Sequence, residues 1–349
     1  MQSPARGAHA PHVVTLGTAG GPRWWPEGAG PRRAGIATAV VVGEAAYLVD
    51  CGHGVGTQLR RAGLPVGGLR AIFLTHLHSD HTVDLPSLAL FGFMILKGER
   101  PPIRILGPGD RGMLPPVSAA ANGVTPRAFF PDSPTPGTAE MFSLLLRAYG
   151  ADLTDRMFDS LRSSPLRFFA AEDIAVPAHT GYHPNDNPTP AGTEPFEIYR
   201  DELVTVTATL VEHPPVAPAF AFRFDTEAGS VTISGDTAPC DNLVRLAEGT
   251  DLLLHEAIDF GWVERAYRGE NPATARATME HHRKSHTSPE QAGEIATAAG
   301  AGALALHHLV PGDAEPSVWR AAERTFSGPV LVPDDLERLD FARAVAGRA

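Results

Sequence analysis

The sequence contains little cysteine and no long apolar run. Only two cysteines, Cys51 and Cys240, occur in 349 residues, so a disulfide framework is not indicated, and their separation does not match paired metal-binding cysteines. No apolar stretch approaches the length of a membrane span, and the first residues lack the pattern of a signal peptide. We therefore expect a cytoplasmic protein with no membrane partner. A signal segment already removed from the sequence would leave no trace in it.

Positive charge is also scarce. Lys and Arg together number 29 against 40 Asp and Glu, which gives a net charge of -11. Nucleic-acid binding draws on a basic surface that displaces counterions, so this balance disfavours passive binding of polyanions. An anionic substrate would need a local basic patch. Residues 280–285, just before His286, are one candidate for that patch, and a solvated loop without such a role is an equal alternative.

The length and composition predict one elaborated domain over residues 1–349. Hydrophobic residues make up 43% of the chain, which is ample for a core, and 35 Gly with 32 Pro imply many loops between short elements. Residues 110–197 differ in pattern, with Pro-rich segments around a helical span at 139–163. We expect two packed helices in an insertion, which serves either as ordinary core packing or as a lid over a site.

Four side chains that can bind metals lie within six residues, directly after a predicted strand. The apolar run Leu69–Leu74 is followed by His76, His78, Asp80 and His81. Imidazole and carboxylate suit zinc and related divalent ions, and this set offers more ligands than one ion takes from so short a loop. The sequence therefore predicts two ions, although histidines can also cluster on a solvated loop without a chemical role.

Further apolar runs downstream also end in side chains of the same kinds. Such positions at strand ends are where ligands from separate parts of a chain can meet. They are His213, Asp236, the pair His255 and Glu256, and the neighbours His307 and His308. Asp50 ends a predicted hairpin, where it would either orient a metal-bound histidine or cap the next turn.

This order of ligands resembles the metallo-β-lactamase superfamily, whose fold is an α/β four-layered αββα sandwich with a dinuclear metal site at one edge. Within the superfamily the chain is similar to the ribonuclease Z and arylsulfatase-like branch. The matching covers most of the chain outside the 110–197 insertion. It rests on the cluster of His76 to His81 and on Gly235–Thr237, His255–Ala257, His286–Thr287 and Leu306–Pro311.

The resemblance implies a complete dinuclear site, with two divalent ions that we expect to be Zn²⁺. The implied ligands are His76, His78 and His213 for the first ion, Asp80, His81 and His308 for the second, and Asp236 as the bridge. His308 rather than His307 matches the final ligand by its place before Leu-Val-Pro. Asp80 would also orient the attacking hydroxide. Glu256 and His286 would help to protonate the leaving group, although a buried structural pair is the alternative.

We first expect a dinuclear zinc hydrolase of a small anionic ester, either an aryl sulfate or a phosphodiester. The main alternative is a tRNA 3′-end endoribonuclease of the ribonuclease Z type. Ser79 and Ile258 replace the Gly and Thr usual in tRNA-processing members, and no basic arm is recognisable, so tRNA is the less favoured partner. Lactam or thioester hydrolysis and a metal-binding module without turnover are further alternatives, and a homodimer is open.

Overall fold

The computed structural model describes residues 10–22, 32–121 and 123–341. Within these ranges, fourteen strands form two mixed sheets of seven strands each. The first sheet has the spatial order β14-β1-β2-β3-β4-β5-β6, and β3 to β6 run parallel to one another. Its strands are β1 (His12–Gly17), β2 (Ala37–Val42), β3 (Ala45–Val49), β4 (Leu69–Phe73), β5 (Ile103–Pro108), β6 (Phe169–Ile174) and β14 (Glu337–Asp340).

The second sheet has the order β13-β12-β11-β10-β9-β8-β7, with β10 to β13 parallel. Its strands are β7 (Phe196–Arg200), β8 (Thr205–Leu210), β9 (Phe220–Thr226), β10 (Gly229–Ile233), β11 (Leu252–Ile258), β12 (Leu304–Val310) and β13 (Val330–Leu331). Strands β10, β11 and β12 are wholly buried and mostly apolar, as expected for parallel strands covered on both faces.

Ten α-helices connect these strands in the described part of the chain. None of them is long and apolar enough to cross a membrane. They are α1 (Val55–Arg61), α2 (Ser79–Thr82), α3 (Leu85–Ile95), α4 (Thr138–Ala148), α5 (Gly150–Phe158), α6 (Asp241–Leu246), α7 (Phe260–Ala266), α8 (Pro272–Ser285), α9 (Pro289–Ala299) and α10 (Pro316–Trp319).

The two sheets pack face to face through a buried aromatic layer. Side chains alternate along β9, so Phe220, Phe222 and Phe224 all point into the space between the sheets. Phe73 on β4 meets Phe222 and Phe224 there, with ring centroids 5.7 and 5.3 Å apart. This layer holds the ends of β4, β8 and β10 at one edge of the sandwich, because these strands all cross it.

The outer face of each sheet is covered by helices. Helices α1, α3 and α4 contribute to one apolar cluster with the first sheet, in which Phe93 and Phe142 are buried. Helices α6 and α9 cover the second sheet, where Leu243 and Ala292 are buried. The order of layers is therefore helix, sheet, sheet, helix, and the αββα sandwich expected from the sequence is confirmed.

The segment 110–197 contributes to both sheets as well as to the surface. Helix α4 packs on β5 and β6. Strand β6 belongs to the first sheet, and β7, which begins at residue 196, belongs to the second. Its two predicted helices occur as α4 and α5, joined at Tyr149. The loop before α4 lines a cavity that reaches His78. Helix α4 is part of the outer layer. The hypothesis that residues 110–197 form a lid stays a prediction.

Candidate active site

The cluster of His76 to His81 lies where β4 leaves the first sheet. The chain passes His76 and His78 in extended conformation and then forms the single turn of α2, which presents Asp80 and His81. His76 and His81 are fully buried, whereas His78 and Asp80 are partly exposed. The change from strand to helix turns the two halves of the cluster in different directions, so each half meets a different partner from the second sheet.

His76 and His78 form a first trio with His213. The Nδ1 atom of His78 lies 3.0 Å from Nε2 of His76 and 3.3 Å from Nε2 of His213. His213 follows β8 and is buried. Burial lowers the pKa of His76 and of His213 well below the ordinary value, so both imidazoles are neutral and keep a lone pair for a ligand.

Asp80 and His81 form a second trio with His308. The Nε2 atoms of His81 and His308 are 3.1 Å apart, and Oδ2 of Asp80 lies 3.4 Å from Nε2 of His308. Although burial opposes its ionisation, His81 and His308 lower the pKa of Asp80 well below the ordinary value. Oδ2 also accepts a hydrogen bond from the backbone N–H of Gly21 at 2.8 Å. The carboxylate is therefore held in its charged form.

Asp236 lies between the two trios and faces both. Its Oδ1 atom is 3.3 Å from Nε2 of His81 and 3.3 Å from Nε2 of His308, while its Oδ2 atom is 3.9 Å from Nε2 of His76. Asp236 follows β10 and is buried. One carboxylate thus presents one oxygen to each group of ligands.

His308 reaches the site through a bulge in β12. Glu256 pairs with His307 and Ala257 pairs with Leu309, so His308 is the extra residue, and its φ angle is 45°. The bulge turns His308 into the site, whereas His307 stays in the sandwich with Nδ1 3.4 Å from Thr38 Oγ1. The alternation of side chains along a strand does not by itself decide whether His307 or His308 points into the site.

Gly20 is a site residue that the sequence analysis missed. A Cβ atom on Gly20 would lie 2.2 Å from Cε1 of His308, so only glycine leaves room for this imidazole. The Gly17–Pro22 loop carries a signal for a turn, but nothing in its composition points to a histidine almost 290 residues later. The contact follows from the bridge that Ala19 makes with Leu309.

Residues behind the ligands fix the orientation of their rings. Nδ1 of His81 donates to Oδ2 of Asp50 at 2.8 Å, and Nδ1 of His213 donates to the carbonyl of Ser285 at 2.9 Å. In each ring Nε2 is then the nitrogen left for a ligand. Asp50 therefore makes the hydrogen bond that its orienting role requires, and that role stays a prediction.

Glu256 and His286 form a buried pair beside Asp236. Nδ1 of His286 donates to Oε1 of Glu256 at 2.9 Å, and the backbone N–H of Thr237 donates to the same oxygen at 2.8 Å. Burial opposes the charging of His286, but the adjacent Glu256 carboxylate and then Asp236 and Asp80 raise its pKa to about 9. The pair therefore holds a proton on His286 at neutral pH.

Residues 280–285 form the last part of α8 and not the solvated loop that was one expectation. Arg283 and Lys284 are exposed, and Arg283 donates to Glu264 at 2.9 Å. His281 and His282 are half-buried and turn toward the site, because their rings approach those of His213 and His286. This turn of helix therefore brings two imidazoles to the site, which sequence reasoning treated only as local charge.

The two trios and Asp236 fit divalent ions. Burial lowers the pKa of His76 and of His78, and these neutral imidazole nitrogens, 3.0 Å apart, direct lone pairs at one another unless a proton or a cation lies between them. Oδ1 of Asp236 is buried and, although it lies 3.3 Å from two imidazole nitrogens, makes no well-aligned hydrogen bond within the described ranges, which is costly for a carboxylate oxygen. A set of imidazole and carboxylate donors is the chemistry that zinc and similar ions prefer.

The sequence of this chain is similar to those of known proteins. Residues 31–137 match the family model of the metallo-β-lactamase superfamily. A ribonuclease Z from Mycobacterium sp. (strain KMS) is 33% identical over 317 residues, which cover 88% of this chain and 90% of that protein. A ribonuclease Z from Mycobacterium bovis (strain BCG / Pasteur 1173P2) is 30% identical over 319 residues, covering 89% and 93%. The chain belongs to the metallo-β-lactamase superfamily.

Solved structures agree with the fold of this superfamily. The metallo-β-lactamase fold protein YhfI from Bacillus subtilis has a TM-score of 0.59 and 21% identity, covering 94% of this chain and 98% of that one. The short form of human tRNase Z has the same TM-score and identity, covering 95% and 99%. From its membership of the superfamily and its similarity to ribonuclease Z proteins, we conclude that this protein is a metal-dependent hydrolase with a divalent-metal site.

Proposed function

We propose that this protein is an endoribonuclease of the ribonuclease Z type that processes the 3′ end of tRNA precursors. The observation that carries the proposal is the two ligand trios joined by Asp236 in a chain 33% identical to a mycobacterial ribonuclease Z over 90% of that protein's length. The small anionic ester that the sequence analysis favoured has no comparable support, because no relative described above is named as an arylsulfatase. The alternative from the sequence therefore becomes the leading proposal.

The trios would hold one divalent ion each, most simply zinc, with Asp236 shared between them. The ligands would be His76, His78 and His213 for one ion and Asp80, His81 and His308 for the other. Two such ions supply Lewis acidity, which neutralises charge on the oxygens of a phosphodiester and acidifies water. The stoichiometry of two, the choice of zinc and each ligand role are parts of this proposal.

His286 would supply the proton that the leaving oxygen needs. A ribose oxygen leaves an RNA phosphodiester as a strongly basic alkoxide, so a general acid makes a large difference to its departure. His286 uses Nδ1 to bind Glu256, which leaves Nε2 to donate. Glu256 keeps this ring charged and fixes its orientation. Asp80, which is ionised and fixed by Gly21, would orient the attacking water.

Two cavities adjoin the ligands and give room for substrate. One of about 380 Å³ is lined by Gly35, His53, His78 and Asp80, and another of about 220 Å³ is lined by His78 and Arg111. Arg111 places a guanidinium next to the second cavity, where it donates to the carbonyl of Pro184 at 2.9 Å. These spaces would accept the nucleotides on either side of a scissile phosphate.

A small phosphodiester is the second candidate substrate, and the observation in its favour is the net charge of -11. The discriminating experiment incubates the zinc-loaded protein with a tRNA precursor that carries a 3′ trailer, with bis-nitrophenyl phosphate, with nitrophenyl sulfate, and with lactam and thioester substrates. We expect one discrete cut at the 3′ end of the precursor, with binding that weakens as salt rises. Rapid cleavage of a small ester together with no discrete cut in the precursor would overturn the tRNA proposal.

A further inference from the structure

A third group of histidines lies beside the two ligand trios. His281, His282 and His286 each offer a ring nitrogen, and these atoms lie within 4.8 Å of one another. The ring of His281 is also 6.4 Å from that of His78 and 6.2 Å from that of His213. The group thus adjoins the first trio but consists of three imidazoles that neither trio includes.

Each of these three rings has a nitrogen available to a ligand. His286 uses Nδ1 for Glu256, and His281 directs Nδ1 at Oγ of Ser285, 3.4 Å away, so Nε2 is left in both. In His282, Nδ1 is buried and has no hydrogen-bond partner among the residues that the structure describes. A buried ring nitrogen without a partner loses its hydration without compensation. A cation shared with its two neighbours would satisfy it.

The end of α8 holds these rings at the site. The carbonyl of Ser285 accepts the hydrogen bond from Nδ1 of His213 at 2.9 Å, and Ser285 Oγ donates to the carbonyl of Pro214. His282 packs near Tyr267, the residue after α7, with ring centroids 6.2 Å apart. The last turn of α8 is therefore fixed to the loop that carries a ligand of the first trio.

We propose that His281, His282 and His286 form a third, weaker site for a transition-metal dication such as Zn²⁺, and that its occupation inhibits the enzyme. Imidazole nitrogens suit Zn²⁺ and not Mg²⁺, which prefers oxygen ligands. An ion that binds Nε2 of His286 uses the electron pair that otherwise binds the proton, so this proton is released to solvent. The ring then has no proton to give to the leaving oxygen. This inhibition rests on the proposed role of His286, whereas the binding of a third ion does not.

The test measures zinc binding and activity on the same preparations. Protein already loaded with two zinc equivalents is titrated with zinc by calorimetry, and cleavage is followed over the same zinc concentrations. We expect a third equivalent in the wild type and none in the double variant with His281→Asn and His282→Asn. The rate of each variant below the inhibitory range is the reference against which its own inhibition is measured. His179→Asn, which changes an exposed histidine, should keep the third equivalent.

Inhibition should depend on the leaving group. Saturating the third site should slow an ester with an alkoxide leaving group by about 10²-fold or more, the size of a general-acid contribution, and a nitrophenyl ester much less. The single variant His282→Asn, checked by circular dichroism, serves if the double variant does not fold. Wild-type protein that stops at two equivalents, or variants that bind the third as tightly, would overturn the site.

The outcome separates this inference from the proposed function. A third equivalent that is lost in the variants supports the site even if no tRNA precursor is cut. A third equivalent that binds without slowing the ester with the poor leaving group overturns the inhibitory role and leaves the binding site.

Discussion

The carboxylate of Asp50 lies behind His81 and accepts its Nδ1–H at 2.8 Å. The same carboxylate accepts the backbone N–H and the hydroxyl of Thr75, both at 2.9 Å. Asp50 therefore joins the end of β3 to the start of the ligand loop and orients one ligand directly. A carboxylate in this position raises the basicity of the imidazole and fixes its tautomer.

Removing this support should weaken metal binding without removing a ligand. We expect Asp50→Ala to lower zinc affinity by about 10–100-fold, which is the usual loss for such partners of a ligating histidine. Competition with a chromogenic chelator measures the change. Asp50→Asn keeps the shape but not the charge, so an intermediate loss is expected for it. Unchanged affinity in both variants would show that His81 does not depend on Asp50.

Asp236 should matter more than any residue that serves one trio alone. Asp236→Ala removes an oxygen from each group of ligands, so bound metal should fall from about two equivalents per chain to one or fewer, and turnover should be lost. Metal analysis after gel filtration gives the count. Asp241→Ala, a change at an exposed carboxylate, is the control and should keep both equivalents. Full activity without Asp236 would rule out the site described above.

His286 should affect esters according to their leaving groups. His286→Ala should keep both metals, slow an ester with an alkoxide leaving group by about 10²–10⁴-fold, and slow a nitrophenyl ester far less, because nitrophenolate leaves without a proton. The measurement is kcat/KM of the variant and of the wild type for each of the two esters. Equal losses on both would assign His286 to positioning or to the fold, and loss of metal would make it a ligand.

Gly20 should be intolerant of even one methyl group. Gly20→Ala places a Cβ atom 2.2 Å from the ring of His308, so this ring must move, and the second trio should lose its ion while the first keeps one. Gly56→Ala in α1 is the matched control, since no atom lies within 4 Å of the added Cβ and alanine favours a helix. Two bound equivalents in Gly20→Ala would contradict the contact.

His255 should make the folded state less stable in acid. This histidine is fully buried, and burial lowers its pKa to about 4. Below about pH 6.5 this histidine binds a proton in the unfolded chain, whereas in the folded protein it stays neutral until about pH 4. The free energy of unfolding therefore falls across this range by about 1.4 kcal/mol per pH unit for one site. Asn can still donate to the Glu256 carbonyl but does not titrate. His255→Asn should therefore reduce the slope of the unfolding free energy against pH by the equivalent of one proton. Urea unfolding at several pH values measures it.

Much of the candidate site could be predicted because its proposed ligands sit in short, local patterns. A strand followed by His76, His78, Asp80 and His81 is recognisable without knowledge of tertiary structure, and Asp236 follows a clear apolar run. The helix from Pro289 is likewise marked by Ser288 and Gln291, and the structure confirms a capping box there. Each of these signals depends only on residues a few positions apart.

The missed features depend on contacts between distant residues. Helix α8 has no apolar stripe, although Asn271 as its N-cap followed by Pro272 was a usable signal. Strands β13 and β14 have two and four residues, too few to show alternation, and they exist because β12 and β1 offer free edges. The role of Gly20 likewise becomes visible only when His308 lies against it.

Each sheet supplies only part of the proposed ligand set, and this affects synthesis of the chain. His76, His78, Asp80 and His81 leave the ribosome early, yet His308 follows more than 200 residues later, and β14 must still return to pair with β1. At a translation rate of about 5–20 residues per second, the first half waits for many seconds. A partly made chain lacks part of the proposed ligand set during that interval, so the proposed nuclease activity would be withheld until almost the whole protein has emerged.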